Sequence, residues 1–212
     1  FNHNYLKVIF QNKSDLGSIA KLTNLPKDKT ILIPGSGVDL SEYKQTKIPL
    51  TYPIVLFPAR LLSTKGIYEF IEAADKLKNL ARFVIVGKHD IQARNCIDLR
   101  ELYEFQKEGI IEYWGESNDM PNILQQSSIV VLPSYREGMP KSLLEAAACG
   151  RPIVTTNVPG CRETILDGIT GILVKAYDSD SLTKGIKKLL KNPNLICSMG
   201  QASRNLAEQK FD

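Results

Sequence analysis

No stretch of this sequence approaches the ~18 apolar residues that a membrane-crossing helix requires, and no signal-peptide pattern opens the chain. A soluble, cytoplasmic protein is the expectation. The four cysteines, Cys96, Cys149, Cys161 and Cys197, lie far apart, without the paired spacing of a zinc site or the density of a disulfide framework. Reduced thiols fit the cytoplasm. Imidazole is scarce too, with only His3 and His89, and neither lies near Cys149 in sequence to serve it as a base. Cys149, among small residues at a helix end, therefore reads as a packing residue. The chain has no Lys/Arg block and no interleaving of basic and aromatic residues, and its net charge of +4 is mild, so a nucleic-acid partner is excluded.

What is present is apolar content, 43% of 212 residues, enough for one large α/β domain or one and a fragment. Strands are expected near 8–10, 31–33, 54–57, 83–86, 110–113, 129–132, 153–155 and 172–174. Helices are expected near 66–79, 98–107, 120–126, 140–149, 180–191 and 194–209. Such alternation with short turns implies a parallel sheet covered on both faces, a Rossmann-like doubly wound α/β fold. Ligands of these folds sit beyond the carboxyl ends of the strands, where Arg60, Lys65, Gly87, Gly115 and Glu137 all fall. They should meet in one crevice.

The densest chemistry lies between Ser134 and Pro152. A buried-type strand, 129–132, breaks at Pro133 and Ser134, and a helix follows in which Leu143, Leu144, Ala147 and Ala148 mark an apolar face. Pro140 suits its first turn, and Gly150 with Pro152 ends it. Backbone N–H groups around Gly138, Met139 and Pro140 would be unpaired donors at a positive dipole end, able to hold a phosphate. Glu137 stands just before that helix start. At ~1.5 Å of rise per residue Glu145 lies ~7 to 8 Å further along, about the span from a diphosphate to its ribose, whose hydroxyls a carboxylate can accept. A second cationic loop follows strand 54–57. Arg60 supplies a planar fork and Lys65 a mobile point charge, so the pair can neutralise a diphosphate without a metal. The plainer alternative is a solvated Lys65 and an ion-paired Arg60.

The stretch from Glu137 to Glu145 resembles the Glu-x7-Glu signature of the retaining glycosyltransferases of family four, which have the GT-B fold. The resemblance implies that Glu137 lies near donor sugar and acceptor, that Glu145 binds the ribose, and that Arg60 and Lys65 clamp the donor diphosphate. Glu137, Arg60 and Lys65 are thus the expected catalytic set. Donor contacts are also implied at Gly87, Gly115, Met120, Gly138, Met139, Pro140, Lys141 and Leu144, with the nucleobase near 119–121. A turn glycine is an equal reading of Gly87, and a core position the better one of Trp114. Gly160 and Glu163 also fall in a family-like stretch, with a cap and a surface ion pair as the plainer readings. Asp178-Ser179-Asp180 has the Asp-x-Asp form of a metal site but precedes a helix, so Asp180 or Ser179 is expected to cap it. No metal or other cofactor is expected.

Further motifs, at 59–62, 66–74, 133–138 and 146–154, resemble the branch that extends undecaprenyl-diphosphate-linked sugars, often from UDP-N-acetylhexosamine. The implied partners are a nucleotide-sugar donor and a glycan or undecaprenyl-diphosphate-linked acceptor. The mechanism implied is front-face transfer with retention, the donor diphosphate acting as base. Two alternatives share the site: a noncatalytic nucleotide-sugar-binding module and a nucleotide-sugar epimerase. Residues 1–30 read as a remnant of an N-terminal acceptor domain and linker, 31–212 as the donor domain, and 34–39 as the interdomain segment. Without that acceptor domain, the chain should bind donor and transfer little or nothing. Lys184, Lys187, Lys188 and Lys191 form one side of helix 180–191, a solvated face or a peripheral membrane contact.

Overall fold

The computed structural model describes residue 3 and residues 5–212. Its main body is a six-stranded sheet, all parallel, in the order β5-β4-β3-β6-β7-β8. The strands are β3 (Ile54–Pro58), β4 (Arg82–Val86), β5 (Glu112–Tyr113), β6 (Ile129–Leu132), β7 (Ile153–Thr156) and β8 (Gly171–Val174). Every residue of β3, β6 and β7 is buried, as strands covered on both faces must be. The covering helices are α2 (Ile67–Leu77), α3 (Leu99–Lys107), α4 (Met120–Gln126), α5 (Lys141–Ala148), α6 (Ser179–Leu190) and α7 (Pro193–Lys210). Helix α2 buries Ile67, Phe70, Ile71, Ala74 and Leu77, the periodic stripe of an amphipathic helix. Phe70 lies 5.3 Å from Phe57 and 5.6 Å from Phe83, ring centre to ring centre, and locks α2 over the sheet centre.

Strand order reverses between β3 and β6, where Val55 pairs with Ile129 and Leu56 with Val130. That reversal opens a crevice at the carboxyl edge, between the loop carrying Arg60 and the loop carrying Glu137.

Several boundaries differ from those expected. Helix α5 begins at Lys141, because Pro140 takes an extended ψ of 113° and serves as its N-cap. Helix α6 begins at Ser179 and is capped by Asp178, whose carboxylate accepts the Ser181 N–H at 2.7 Å. Asp180, expected as cap, instead reaches Lys76 at 2.6 Å. Strand β5 keeps only Glu112 and Tyr113, since the Ile110 N–H turns back to the Phe105 carbonyl. The region before Thr30 is more ordered than a linker: β1 (Val8–Phe10), α1 (Lys13–Thr23) and β2 (Thr30–Leu32) make a small parallel unit. Strand β2 pairs with β1 and takes no part in the larger sheet.

Candidate functional site

The loop after β3 is shaped by what it must pass. Leu61 and Leu62 are buried, a single 3-10 turn Ser63–Lys65 follows, and Gly66 adopts a left-handed φ of 75°. A Cβ on Gly66 would stand 2.2 Å from the Pro133 carbonyl oxygen, so only glycine lets this loop lie against the end of β6. The Tyr135 N–H fastens the two loops by donating to the Thr64 carbonyl at 3.0 Å. Lys65 is thereby delivered to Glu137, Nζ to Oε1 2.5 Å, with side chains only 19% and 13% exposed. Arg60 stands at the rim, 56% exposed, its Nη1 3.5 Å from an Asp90 oxygen. An exposed pair of that length contributes little, so the guanidinium can turn to a better partner. Arg60, Lys65, Glu137 and residues 138–141 line one cleft of 290 Å³.

The far wall is the start of α5. Pro140 offers no side-chain cap, and among the described residues the N–H groups of Gly138, Met139, Lys141 and Ser142 find no acceptor. Four free donors at a helix N-terminus beside two cations suit an anion. The loop is held from behind at two points. A Cβ on Gly160, at φ 85°, would meet the Glu137 carbonyl oxygen at 2.2 Å, and the Glu137 N–H donates to the Pro159 carbonyl at 3.2 Å. Glu163 caps that turn by accepting the Gly160 N–H at 2.7 Å, and among the described residues it forms no ion pair. The second hold comes from the N-terminal unit. Buried Asn12 donates to the Gly138 carbonyl at 2.9 Å, and Asp15 pairs with Arg136. Nothing in the spacing of residues 11–15 signalled that contact.

Glu145 is 7% exposed, with its Oε1 accepting the Tyr43 hydroxyl at 2.8 Å and lying 3.3 Å from the Lys141 ammonium. Burial, reinforced by that bond to Glu145, pushes the Tyr43 phenol up. Tyr43, on the segment joining β2 to β3, carries no signal in the sequence because its partner lies 102 residues away.

Other expected contacts sit differently. Leu144 is wholly buried, its Cδ1 3.2 Å from where a Cβ on Gly35 would stand, and offers no side-chain surface to a ligand. At Gly87 a Cβ would collide with the Ala59 carbonyl oxygen at 1.8 Å, so packing of two strand ends accounts for that glycine. Gly115, at φ 80°, and half-buried Met120 lie on the same sheet edge on the β5 side, outside the lining of the 290 Å³ cleft. Trp114 is half-buried against the core and donates to Glu112 at 3.1 Å. Cys149 and Cys161 are fully buried, and burial pushes both thiols up to about 11. Both are inert packing residues.

Comparison with known proteins bears on this geometry. Residues 40–206 match the family described as glycosyl transferases group 1. A Campylobacter jejuni protein named N,N'-diacetylbacillosaminyl-diphospho-undecaprenol alpha-1,3-N-acetylgalactosaminyltransferase is 36% identical over 206 residues, 91% of this chain and 53% of that protein. An Escherichia coli protein named UDP-Gal:alpha-D-GlcNAc-diphosphoundecaprenol alpha-1,3-galactosyltransferase is 33% identical over 158 residues, 72% of this chain and 40% of its own length. Among solved structures, Anabaena HepE in complex with UDP superposes with a TM-score of 0.86 at 20% identity, covering 97% of this chain and 60% of HepE. The chain spans about half the length of the first curated relatives it matches.

Proposed function

This chain belongs to the group 1 glycosyl transferases, and from that membership we propose that it is the donor-binding half of a retaining GT-B enzyme using a UDP-hexose or UDP-N-acetylhexosamine. The observation that carries the reading is the meeting of Arg60, Lys65, Glu137 and four unpaired N–H groups at the strand-order reversal. A diphosphate would draw Lys65 from Glu137 and Arg60 from Asp90, and lie across the α5 start. As the bond from the anomeric carbon to the diphosphate breaks, these groups stabilise the charge on the departing oxygen without need of a metal. That diphosphate takes the proton of the acceptor hydroxyl, whose oxygen bonds to the anomeric carbon from the same face. Glu137 orients sugar and acceptor, and Glu145 accepts from the ribose hydroxyls.

The names of the Campylobacter and Escherichia relatives both specify sugars on diphospho-undecaprenol, which supports a lipid-linked acceptor. Transferase names favour neither a binding-only module nor an epimerase. Among the described residues no helix is long and apolar enough to cross a membrane. A lipid-linked acceptor would bring the chain to the cytoplasmic membrane surface, where exposed Lys184, Lys187, Lys188 and Lys191 offer a basic face. The β1–α1–β2 unit is the end of the acceptor domain. Exposed Ile9 and Ile31 on its two strands, 59% and 40%, support a larger sheet there, and the pairing of β2 with β1 supports a domain junction after Leu32.

Calorimetric titration with UDP, GDP and ADP in the presence of a chelator tests the reading. Selective UDP binding, weakened in Glu145→Ala, is the expected result, and UDP binding that requires a divalent ion would reject it.

A further inference from the structure

The buried contact between Tyr43 and Glu145 lies outside the cleft and carries an inference of its own. Glu145 offers two oxygens, and among the described residues both donors that reach it converge on Oε1. They are unequal. Lys141 is 65% exposed and its ammonium is 3.3 Å away, a distance and exposure at which an ion pair holds a carboxylate only loosely. Tyr43 is 6% exposed with its hydroxyl at 2.8 Å, a buried hydrogen bond to a charged group of the strong kind. The phenol is itself fixed. Arg204 of α7 donates to the Tyr43 carbonyl at 2.9 Å and to the Ala148 carbonyl at 2.7 Å, tying the connecting segment to the end of α5. Oε2 is left without a donor among the described residues. Its two neighbours border open space: Lys141 lines both the 290 Å³ cleft and a 520 Å³ cavity, and Tyr43 lines the latter, whereas Glu145 itself lines neither.

We propose that Tyr43 is a positioning residue for the nucleotide: by occupying Oε1 it fixes the Glu145 rotamer, so that Oε2 is presented to the two ribose hydroxyls. The proposal rests on the reading of Glu145 as the ribose ligand. Before the nucleotide binds, a Glu145 carboxylate without Tyr43 would rotate between both oxygens and swing to Lys141, and ribose binding would bear the cost of ordering it. The connecting segment thereby contributes to donor affinity although it touches no part of the donor.

The test compares UDP with 2′,3′-dideoxy-UDP by calorimetry on the 212-residue chain, its Tyr43→Phe variant and its Glu145→Ala variant. The dideoxy nucleotide keeps base and diphosphate, and so reports whether the folded site survives. Tyr43→Phe is expected to weaken UDP about tenfold while leaving the dideoxy nucleotide unchanged, from loss of one charge-assisted hydrogen bond. Glu145→Ala should abolish the preference for UDP over the dideoxy form. If Tyr43→Phe keeps the wild-type preference while Glu145→Ala abolishes it, or if Tyr43→Phe weakens both nucleotides alike, Tyr43 does not act through the ribose and the proposal falls alone. Should Glu145→Ala keep the preference, the ribose reading of Glu145 fails and takes the proposal with it.

Discussion

Lys65 and Glu137 are each other's partner at 2.5 Å, so a diphosphate entering the cleft would compete with a carboxylate for the same ammonium. Removing the competitor and removing the ammonium should therefore act in opposite directions. Glu137→Gln is expected to tighten UDP by about fivefold, and Lys65→Ala to weaken it by about tenfold or more, both read by calorimetry. Equal weakening by both variants would mean that Glu137 contacts the nucleotide directly. The buried thiols make a separate prediction. Their folded-state pKa is raised from 9.0 to about 11, so the folded chain holds protons that the unfolded chain releases. Their contribution to stability is complete below about pH 9 and is lost as pH rises towards 11; the urea midpoint should fall across that window. Alkylation at about pH 8 should reach exposed Cys197 first and spare Cys149 and Cys161. At this scale the sequence showed what local chemistry shows. Glu137, Glu145, Arg60 and Lys65 stand out by type and spacing, whereas Tyr43 and Asn12 matter through partners 102 and 126 residues distant.

Strand-loop-helix elements, rather than single residues, hold the site's geometry. The loop from Tyr135 to Pro140 carries Glu137 and the free N–H groups, yet its shape is set by Gly160 behind it and by Gly66 across from it. Gly160→Ala puts a methyl 2.2 Å from the Glu137 carbonyl oxygen and forces a left-handed φ of 85° on alanine. A loss of about 2 kcal/mol or more in urea unfolding is expected, with weaker UDP binding, whereas an unchanged midpoint would show that the 157–160 turn yields freely. Elements that bury apolar surface, such as α2 and β3, were legible because burial on one face writes a period, and burial on both a continuous apolar run, into the sequence. Helix α1 was not, because it buries no residue and so carries no such stripe. The same physics explains the caps. Asp178 and Asp180 are equally good capping residues by type, and only the path of the chain decides that Asp178 caps while Asp180 faces Lys76.

Over the whole molecule, the doubly wound sheet was legible from the alternation of strand and helix. The strand order was not, because periodicity says nothing of which strands are neighbours. The order β5-β4-β3-β6-β7-β8 is nonetheless what creates the site, since it sets the ends of β3 and β6 side by side and brings residue 65 to residue 137. Whether this one crevice holds a nucleoside diphosphate is decided by a crystal structure of the chain with UDP. Phosphate oxygens are expected within hydrogen-bond distance of Arg60, Lys65 and the N–H groups at the start of α5, with the ribose hydroxyls on Glu145 Oε2. UDP bound elsewhere, or in the crevice with its phosphates turned away from the α5 start, would contradict it.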